Sequence, residues 1–216
     1  MKKISDRIYY VGVNDDDKVL FEGLWPLPYG VSYNSYLVVD EKVALIDTVE
    51  SGFEDEYLEE IREAIGDRQI DYMVVNHMEP DHSSLISLIS AEYPDVKIVV
   101  NSKTVPMIKG YHGTADERLH IVAEGDSLSL GSCTLNFYMV PMVHWPETMV
   151  TWMPEENTVF SGDAFGTFGA VAADPMDAEG VFEQYRDEMI RYYSNIVGKY
   201  GVPVQAALKK LSGLAV

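Results

Sequence analysis

Four side chains that commonly bind metals fall within six residues, directly after a short apolar run. The run Tyr72-Met73-Val74-Val75 predicts a buried strand, and residues 76–82 follow it as Asn-His-Met-Glu-Pro-Asp-His. Open α/β folds bind ligands at the carboxyl ends of their strands, where the loops leave the sheet. The pattern therefore predicts a sheet with a metal site at one edge. The candidate ligands in this loop are His77, Glu79, Asp81 and His82.

Two residues far along the chain repeat this strand-end position. His144 follows a hydrophobic strand and precedes Trp145-Pro146, and Asp163 ends another predicted strand beside a glycine. A single buried histidine is usually a hydrogen-bonded core residue, and a loop aspartate is usually solvated. The clustered loop favours a metal-site interpretation here, and a carboxylate such as that of Asp163 can bridge two cations. By contrast, we expect His112 and His120 to be structural or exposed.

The types of ligand restrict the metal. Imidazole and carboxylate without thiolate suit iron, manganese or zinc, and the carboxylate of Glu79 in the middle of the set favours iron. The single cysteine, Cys133, lies in a predicted strand, so this sequence offers no disulfide framework and no cysteine-based zinc or iron–sulfur site. We interpret Cys133 as a small buried hydrophobic residue.

Length and charge limit the domain organisation and the partners. A chain of 216 residues with 47% hydrophobic and 24% charged residues predicts one globular domain over residues 1–216. Thirty-five acidic against 16 basic residues give a net charge of −19, which disfavours nucleic acid and anionic membranes but could attract a basic redox partner. Neither an apolar leader nor an 18-residue apolar run is present, so we expect a cytoplasmic protein with no membrane segment.

The order of predicted elements indicates the α/β class. Hydrophobic periodicity predicts helices over residues 54–65, 85–92, 105–109, from about 179 onward and 203–211. Short strands precede the first helix and dominate residues 127–161, which gives two β-rich halves with ligand candidates on the loops of both. Two sheets packed face to face, with helices outside and metals at one edge, fit this order. Within the metal loop we expect Pro80 to break any helix and Ser83-Ser84 to cap the helix that follows.

Together these residues resemble a known family. The run from His77 to His82, with His144 and Asp163, resembles the metallo-β-lactamase superfamily, whose hydrolases carry histidine at the position of Glu79. With glutamate there, the sequence is similar to the diiron domain of flavodiiron proteins. The supporting motifs are Ser32-Tyr33-Asn34-Ser35-Tyr36-Leu37-Val38, Ile46-Asp47-Thr48, His144-Trp145-Pro146-Glu147-Thr148-Met149, Ser161-Gly162-Asp163-Ala164-Phe165-Gly166 and Tyr192-Tyr193-Ser194-Asn195-Ile196.

The resemblance implies an αββα sandwich that holds two iron ions. His77, Glu79 and His144 would bind one iron, Asp81 and His82 the other, and Asp163 would bridge them. Tyr193 would line the substrate pocket as the catalytic side chain, and Trp25 would form the opposite wall.

The same resemblance implies an activity and partners. It implies reduction of O₂ to water, of NO to N₂O, or of both, with electrons from FMN in a flavodoxin-like domain. A rubredoxin or a flavin reductase would supply the electrons, and the full protein would form a head-to-tail homodimer. The family pattern places another histidine ligand and the FMN domain after Val216. We therefore expect a fragment that binds its second metal poorly and does not turn over O₂ or NO with a natural electron donor.

Two alternatives remain open from the sequence. A dinuclear zinc hydrolase of the same fold would act on a thioester, a lactam or a phosphodiester, although Glu79 argues against it. A degenerate metal-binding or dimerisation module without activity is the other, and the intact set of candidate ligands argues against that one.

Overall fold

The larger sheet of the protein combines antiparallel and parallel strands. The computed structural model describes residues 1–170 and 178–215. In spatial order the sheet contains β1 (Lys2–Lys3), β2 (Ile8–Tyr10), β7 (Tyr36–Val39), β8 (Val43–Ile46), β9 (Tyr72–Val74), β10 (Lys97–Asn101) and β11 (Leu119–Val122). The strands β8 to β11 run parallel to one another, whereas β1, β2, β7 and β8 pair antiparallel. The carboxyl ends of four strands therefore meet at one edge.

A second sheet is wholly antiparallel, and two small hairpins complete the strands. The second sheet contains β12 (Ser127–Ser129), β13 (Thr134–Met139), β14 (Met149–Met153) and β15 (Thr158–Phe160), in that order. One small pair joins β3 (Val13–Asp15) to β6 (Val31–Tyr33), and the other joins β4 (Leu20–Phe21) to β5 (Trp25–Pro26).

Six α-helices lie between or after the strands in the described part of the chain. They are α1 (Glu54–Ile65), α2 (Pro80–Ser83), α3 (Ile86–Glu92), α4 (Thr104–His112), α5 (Ala178–Tyr192) and α6 (Gly201–Leu211). Single turns of 3₁₀ helix cover Asp116–Arg118, Pro154–Glu156 and Gly198–Tyr200, and a π-helical turn covers Tyr193–Val197. The five predicted helices are all confirmed, with ends that differ by a few residues.

Two expectations about the metal loop are wrong. Pro80 does not prevent a helix but occupies the first position of α2, where its missing N–H and fixed φ are compatible with a helix start. Ser83 and Ser84 do not cap α3, which begins after Leu85 without a side-chain cap. Ser83 instead donates its hydroxyl to the carbonyls of Met78 and Glu79, both at 3.0 Å, and so fixes the loop that carries the ligands.

Alternating residues of the larger sheet belong to two different hydrophobic clusters. Ala44 and Ile46 share a cluster with Leu135 and Phe137 of the second sheet, so this cluster fills the space between the sheets. The alternate residues, such as Leu45, pack in a larger cluster with residues of α1 on the other face. Both faces of the strands are buried, as expected for the parallel part of a sheet. The predicted α/β fold with an αββα layering is confirmed.

Candidate metal centre

The polypeptide turns out of the larger sheet at Asn76, and hydrogen bonds hold this point firmly. The Asn76 N–H donates to Oδ1 of buried Asp47 at 2.7 Å, and the Asn76 side-chain oxygen accepts from the Thr151 hydroxyl at 2.8 Å. Asp47 itself has a left-handed φ of 55°, which is uncommon for a non-glycine residue. Because Thr151 belongs to β14, these contacts connect the end of β9 to the second sheet.

One group of four ligand candidates assembles around Glu79. Its members are His77, Glu79, His144 and Asp163, and one ligand atom from each lies within 4.8 Å of the others. Oε2 of Glu79 lies 2.9 Å from Nε2 of His144 and 3.2 Å from Nε2 of His77. The strand-end argument therefore identifies residues that are separated by more than 80 positions but share one site.

A second group of three lies beside the first. It contains Asp81, His82 and Asp163, again within 4.8 Å. Nε2 of His82 is 2.9 Å from Oδ1 of Asp163 and 3.7 Å from Oδ2 of Asp81. Asp163 belongs to both groups, so its two oxygens face different sets of ligands. The structure thus brings together all six residues that the sequence predicts as metal ligands.

Unpaired polar atoms test whether these residues fit a cation. Within the described residues, Oδ1 of Asp81, Nδ1 of His82 and Oδ2 of Asp163 are buried without a hydrogen-bond partner. Buried polar groups are almost always paired, because an unpaired one costs about 1–3 kcal/mol. Unpaired carboxylate oxygens in both groups of ligand candidates are what a pair of divalent cations would satisfy. The residues therefore fit a two-metal centre with a bridging aspartate.

Charge interactions within the cluster are strong. Burial lowers the pKa of His77, but its hydrogen bonds with Glu147 and Glu79 outweigh burial and raise that pKa to about 9. Burial raises the pKa of Glu79, yet the hydrogen bonds from His144 and His77 lower it to about 2. Protons on the imidazoles thus balance the carboxylates when no cation is bound. A metal that binds here replaces those protons.

Glu147 is a contact of the centre that the sequence did not single out. It is 1% exposed, and its Oε1 accepts from Nδ1 of His77 at 2.8 Å. Trp145 packs edge-on against the His77 ring at a centroid distance of 5.2 Å. The loop that supplies His144 therefore also contacts His77 on the side away from the other ligands.

A cavity of about 250 Å³ adjoins the second group. Its lining includes Asp81, His82, Asp163, Phe21 and Tyr192. Burial and the neighbouring Asp163 carboxylate raise the pKa of Tyr192 well above its ordinary value. Its phenol therefore stays protonated.

Two predicted pocket residues do not line this cavity. Tyr193 is 38% exposed and its ring lies beside that of Phe165, with the ring centroids 6.3 Å apart, whereas the adjacent Tyr192 lines the cavity. Trp25 pairs with Phe21 in the β4–β5 hairpin, and Phe21 rather than Trp25 lines the cavity.

Glu22, in the turn of that hairpin, lies at a second opening of the centre. It has a φ of 48° and lines a depression together with Glu79, Asp81 and Trp145. Burial and the nearby Glu79 raise its pKa. No motif in the sequence marks Glu22, because only the path of the hairpin brings it to the site.

The remaining histidines are outside the centre, as expected. His112 is the last residue of α4 and its Nδ1 lies 3.1 Å from the Ser87 hydroxyl, while His120 is exposed on β11.

Residues 31–212 match the model of a family described as ODP family beta lactamase. The chain belongs to this family. Among its relatives, the nitric oxide reductase of Moorella thermoacetica is 36% identical over 198 residues, which are 90% of this chain and 49% of the relative. The rubredoxin-oxygen oxidoreductase of Megalodesulfovibrio gigas is 37% identical over 99% of this chain and 53% of the relative.

A solved protein structure has the same architecture. The flavodiiron protein of Giardia intestinalis superimposes with a TM-score of 0.93 at 30% identity, covering 100% of this chain and 52% of that one. The chain thus spans about half the length of the relatives it matches. No helix in the described ranges is both long enough and apolar enough to cross a membrane.

Proposed function

We propose that this chain is the catalytic domain of a non-haem diiron oxidoreductase that reduces O₂ to water, NO to N₂O, or both. The observation that carries the proposal is the shared carboxylate of Asp163, which belongs to a group of four ligands on one side and three on the other. Such sharing is what a pair of metals a few ångströms apart requires. The names of two relatives, a nitric oxide reductase and a rubredoxin-oxygen oxidoreductase, support the redox assignment.

The donor set supports iron over zinc. His77, Glu79 and His144 would hold the first iron, Asp81 and His82 the second, and Asp163 would join them. Two carboxylates in a group with two imidazoles form a harder set than one with histidine at the position of Glu79, as in the hydrolases of the superfamily. When bound, the iron pair would supply the electrons and the binding positions for the diatomic substrate.

The protein's own residues would bind and orient the substrate and keep bulk water out. The cavity beside Asp81, His82 and Asp163 is large enough for a diatomic molecule, and Phe21 gives it an apolar wall. Tyr192 keeps its proton and can donate a hydrogen bond into this space. We assign to Tyr192 the substrate-pocket role first predicted for Tyr193.

The partners and location belong to the same proposal. We infer that electrons arrive through FMN on a flavodoxin-like domain, with a rubredoxin or a flavin reductase as donor, and that the full protein is a head-to-tail homodimer. Both relatives extend well beyond the matched region, which leaves length for such a domain. The cytoplasmic location stays a prediction.

Anaerobic titration with ferrous iron tests the metal assignment. We expect the metal-free protein to bind iron at the group containing Glu79, and the His77→Ala variant to lose that position. With enough ferrous iron to fill the weaker second position as well, the chemically reduced protein mixed with NO should then release N₂O in a single turnover, measured in the gas phase. Retention of zinc in preference to iron, together with turnover of a thioester or a β-lactam, would favour the hydrolase instead.

A further inference from the structure

Glu147 is buried beside the centre and is hydrogen-bonded to the candidate ligand His77. It follows His144 by three residues in the same loop, and its side chain is 0% exposed. Oε1 accepts two hydrogen bonds, from Nδ1 of His77 at 2.8 Å and from the Met78 N–H at 3.0 Å. The backbone carbonyl of Glu147 accepts a third, from the Asn101 side chain at 2.6 Å. The contacts with Met78 and Asn101 therefore hold Glu147 in position independently of His77.

This contact decides which nitrogen of His77 faces the metal site. A carboxylate can only accept, so Nδ1 must carry the proton in the 2.8 Å hydrogen bond. The lone pair of a neutral His77 is then on Nε2, which lies 3.2 Å from Oε2 of Glu79 and 3.4 Å from Oδ2 of Asp163. The other tautomer would place two acceptors against each other.

His82 provides an internal comparison. Its Nε2 also faces Asp163, at 2.9 Å, but its buried Nδ1 has no hydrogen-bond partner within the described residues. Nδ1 of His77 is thus held by a buried carboxylate, and Nδ1 of His82 is not. The two groups therefore differ in the number of candidate ligands and in whether Nδ1 of the compared histidine has a hydrogen-bond partner.

We propose that Glu147 is a positioning residue that fixes the Nδ1–H tautomer of His77 and thereby makes the Glu79-containing group the first to fill with metal. This inference rests on the proposed function, because it requires a metal at that group. Carboxylates that orient a histidine ligand also increase its basicity, and their loss typically lowers metal affinity about 10–100-fold.

The unpaired oxygen of Glu147 suggests a well-matched variant. Oε2 is buried and forms no hydrogen bond among the described residues, whereas Oε1 accepts both donors. Glu147→Gln can keep an oxygen at the Oε1 position and place its amide nitrogen at the Oε2 position. It therefore removes the charge and preserves the acceptor, while Glu147→Ala removes both.

The experiment is a zinc titration of the metal-free protein against a competing chelator, combined with ¹⁵N NMR of the zinc-loaded histidines. We expect the wild type to show His77 with a proton on Nδ1 and zinc on Nε2. Glu147→Ala should weaken the first zinc equivalent about 10–100-fold, and Glu147→Gln should recover part of that loss. Glu124→Gln removes a 47% exposed carboxylate bonded to Lys210 and should leave the affinity unchanged.

Several outcomes would overturn the inference. A wild-type protein with zinc on Nδ1 of His77 would do so by itself, even if Glu147→Ala failed to fold. A folded Glu147→Ala variant that bound the first equivalent as tightly as the wild type would also do so. A wild-type protein that bound no metal would remove the proposed function as well, which distinguishes that failure from the other two.

Discussion

The Asp163 carboxylate accepts a hydrogen bond from Nε2 of His82 at 2.9 Å through one oxygen, while its other oxygen lies among the opposite group of ligands. That second oxygen is 3.2 Å from Nε2 of His144. One side chain therefore takes part in both halves of the centre. Its loss should have a different signature from the loss of a residue that serves one half.

Asp163→Asn should reduce metal binding at both positions, because an amide supplies one weaker oxygen ligand and no charge. We expect each affinity to fall at least about 10–100-fold, the cost of losing even an outer contact. His82→Ala should weaken only the group that contains Asp81. Metal content after gel filtration checks both variants. Equal loss of the two positions in His82→Ala would contradict the assignment of separate groups.

Thr151→Val should destabilise the protein through the Asn76 side chain. The Thr151 hydroxyl is the donor to Oδ1 of Asn76 at 2.8 Å, and Thr151 is 0% exposed. Valine has nearly the same shape and leaves that oxygen unpaired, so we expect a loss of about 1–3 kcal/mol in the free energy of unfolding. Urea denaturation of the variant and the wild type measures this difference in the free energy of unfolding. Thr158→Val is the control. Thr158 is only half-buried, and its hydroxyl donates to the Glu156 carbonyl beside the exposed Asn157, so water can take the place of the hydroxyl. An equal loss of stability in Thr158→Val would contradict the explanation.

Cys133 should resist thiol reagents in the native protein. It is fully buried, and burial together with the nearby Asp40 carboxylate raises its pKa to about 12. Thiolate is the reactive form, so almost none is present at neutral pH. We expect slow reaction with a disulfide reagent in buffer and rapid reaction in concentrated urea. Rapid labelling of the folded protein would show that Cys133 is accessible.

Asp40 should contribute stability that depends on pH. Burial raises its pKa, but hydrogen bonds from Ser132 and Cys133 prevail and lower it to about 2. A depressed pKa means that the stabilisation is complete above the unfolded value of about 3.9 and is lost as pH falls toward the folded one.

Asp40→Asn should therefore cost about 1 kcal/mol or less at pH 7, since the group is partly solvated. The difference from the wild type should shrink as the pH is lowered from about 5 to about 3. Unfolding in urea at several pH values measures this. A difference that stayed constant with pH would refute the role of the Asp40 charge.

The six candidate ligands could be picked out from the sequence because their signal is local. Each follows a hydrophobic run, and the end of a strand fixes where the chain emerges from the sheet. The pocket tyrosine could not be assigned in the same way. Tyr192 and Tyr193 are adjacent, and the helix changes there from α to π geometry, which alters the direction of each side chain. Glu147 was missed as a contact because its partner is 70 residues away.

The candidate ligands come from both sheets, and this affects how fast a bound metal would be released. His77, Glu79, Asp81 and His82 follow β9 of the larger sheet, whereas His144 precedes β14 and Asp163 follows β15 of the other. A bound metal would therefore tie the two layers of the sandwich together at one edge. Any fluctuation that separates the layers there would also break the coordination. The rate at which a chelator removes the metal would thus report how often this edge opens. A metal that binds only the folded protein would also raise the free energy of unfolding as its concentration increases.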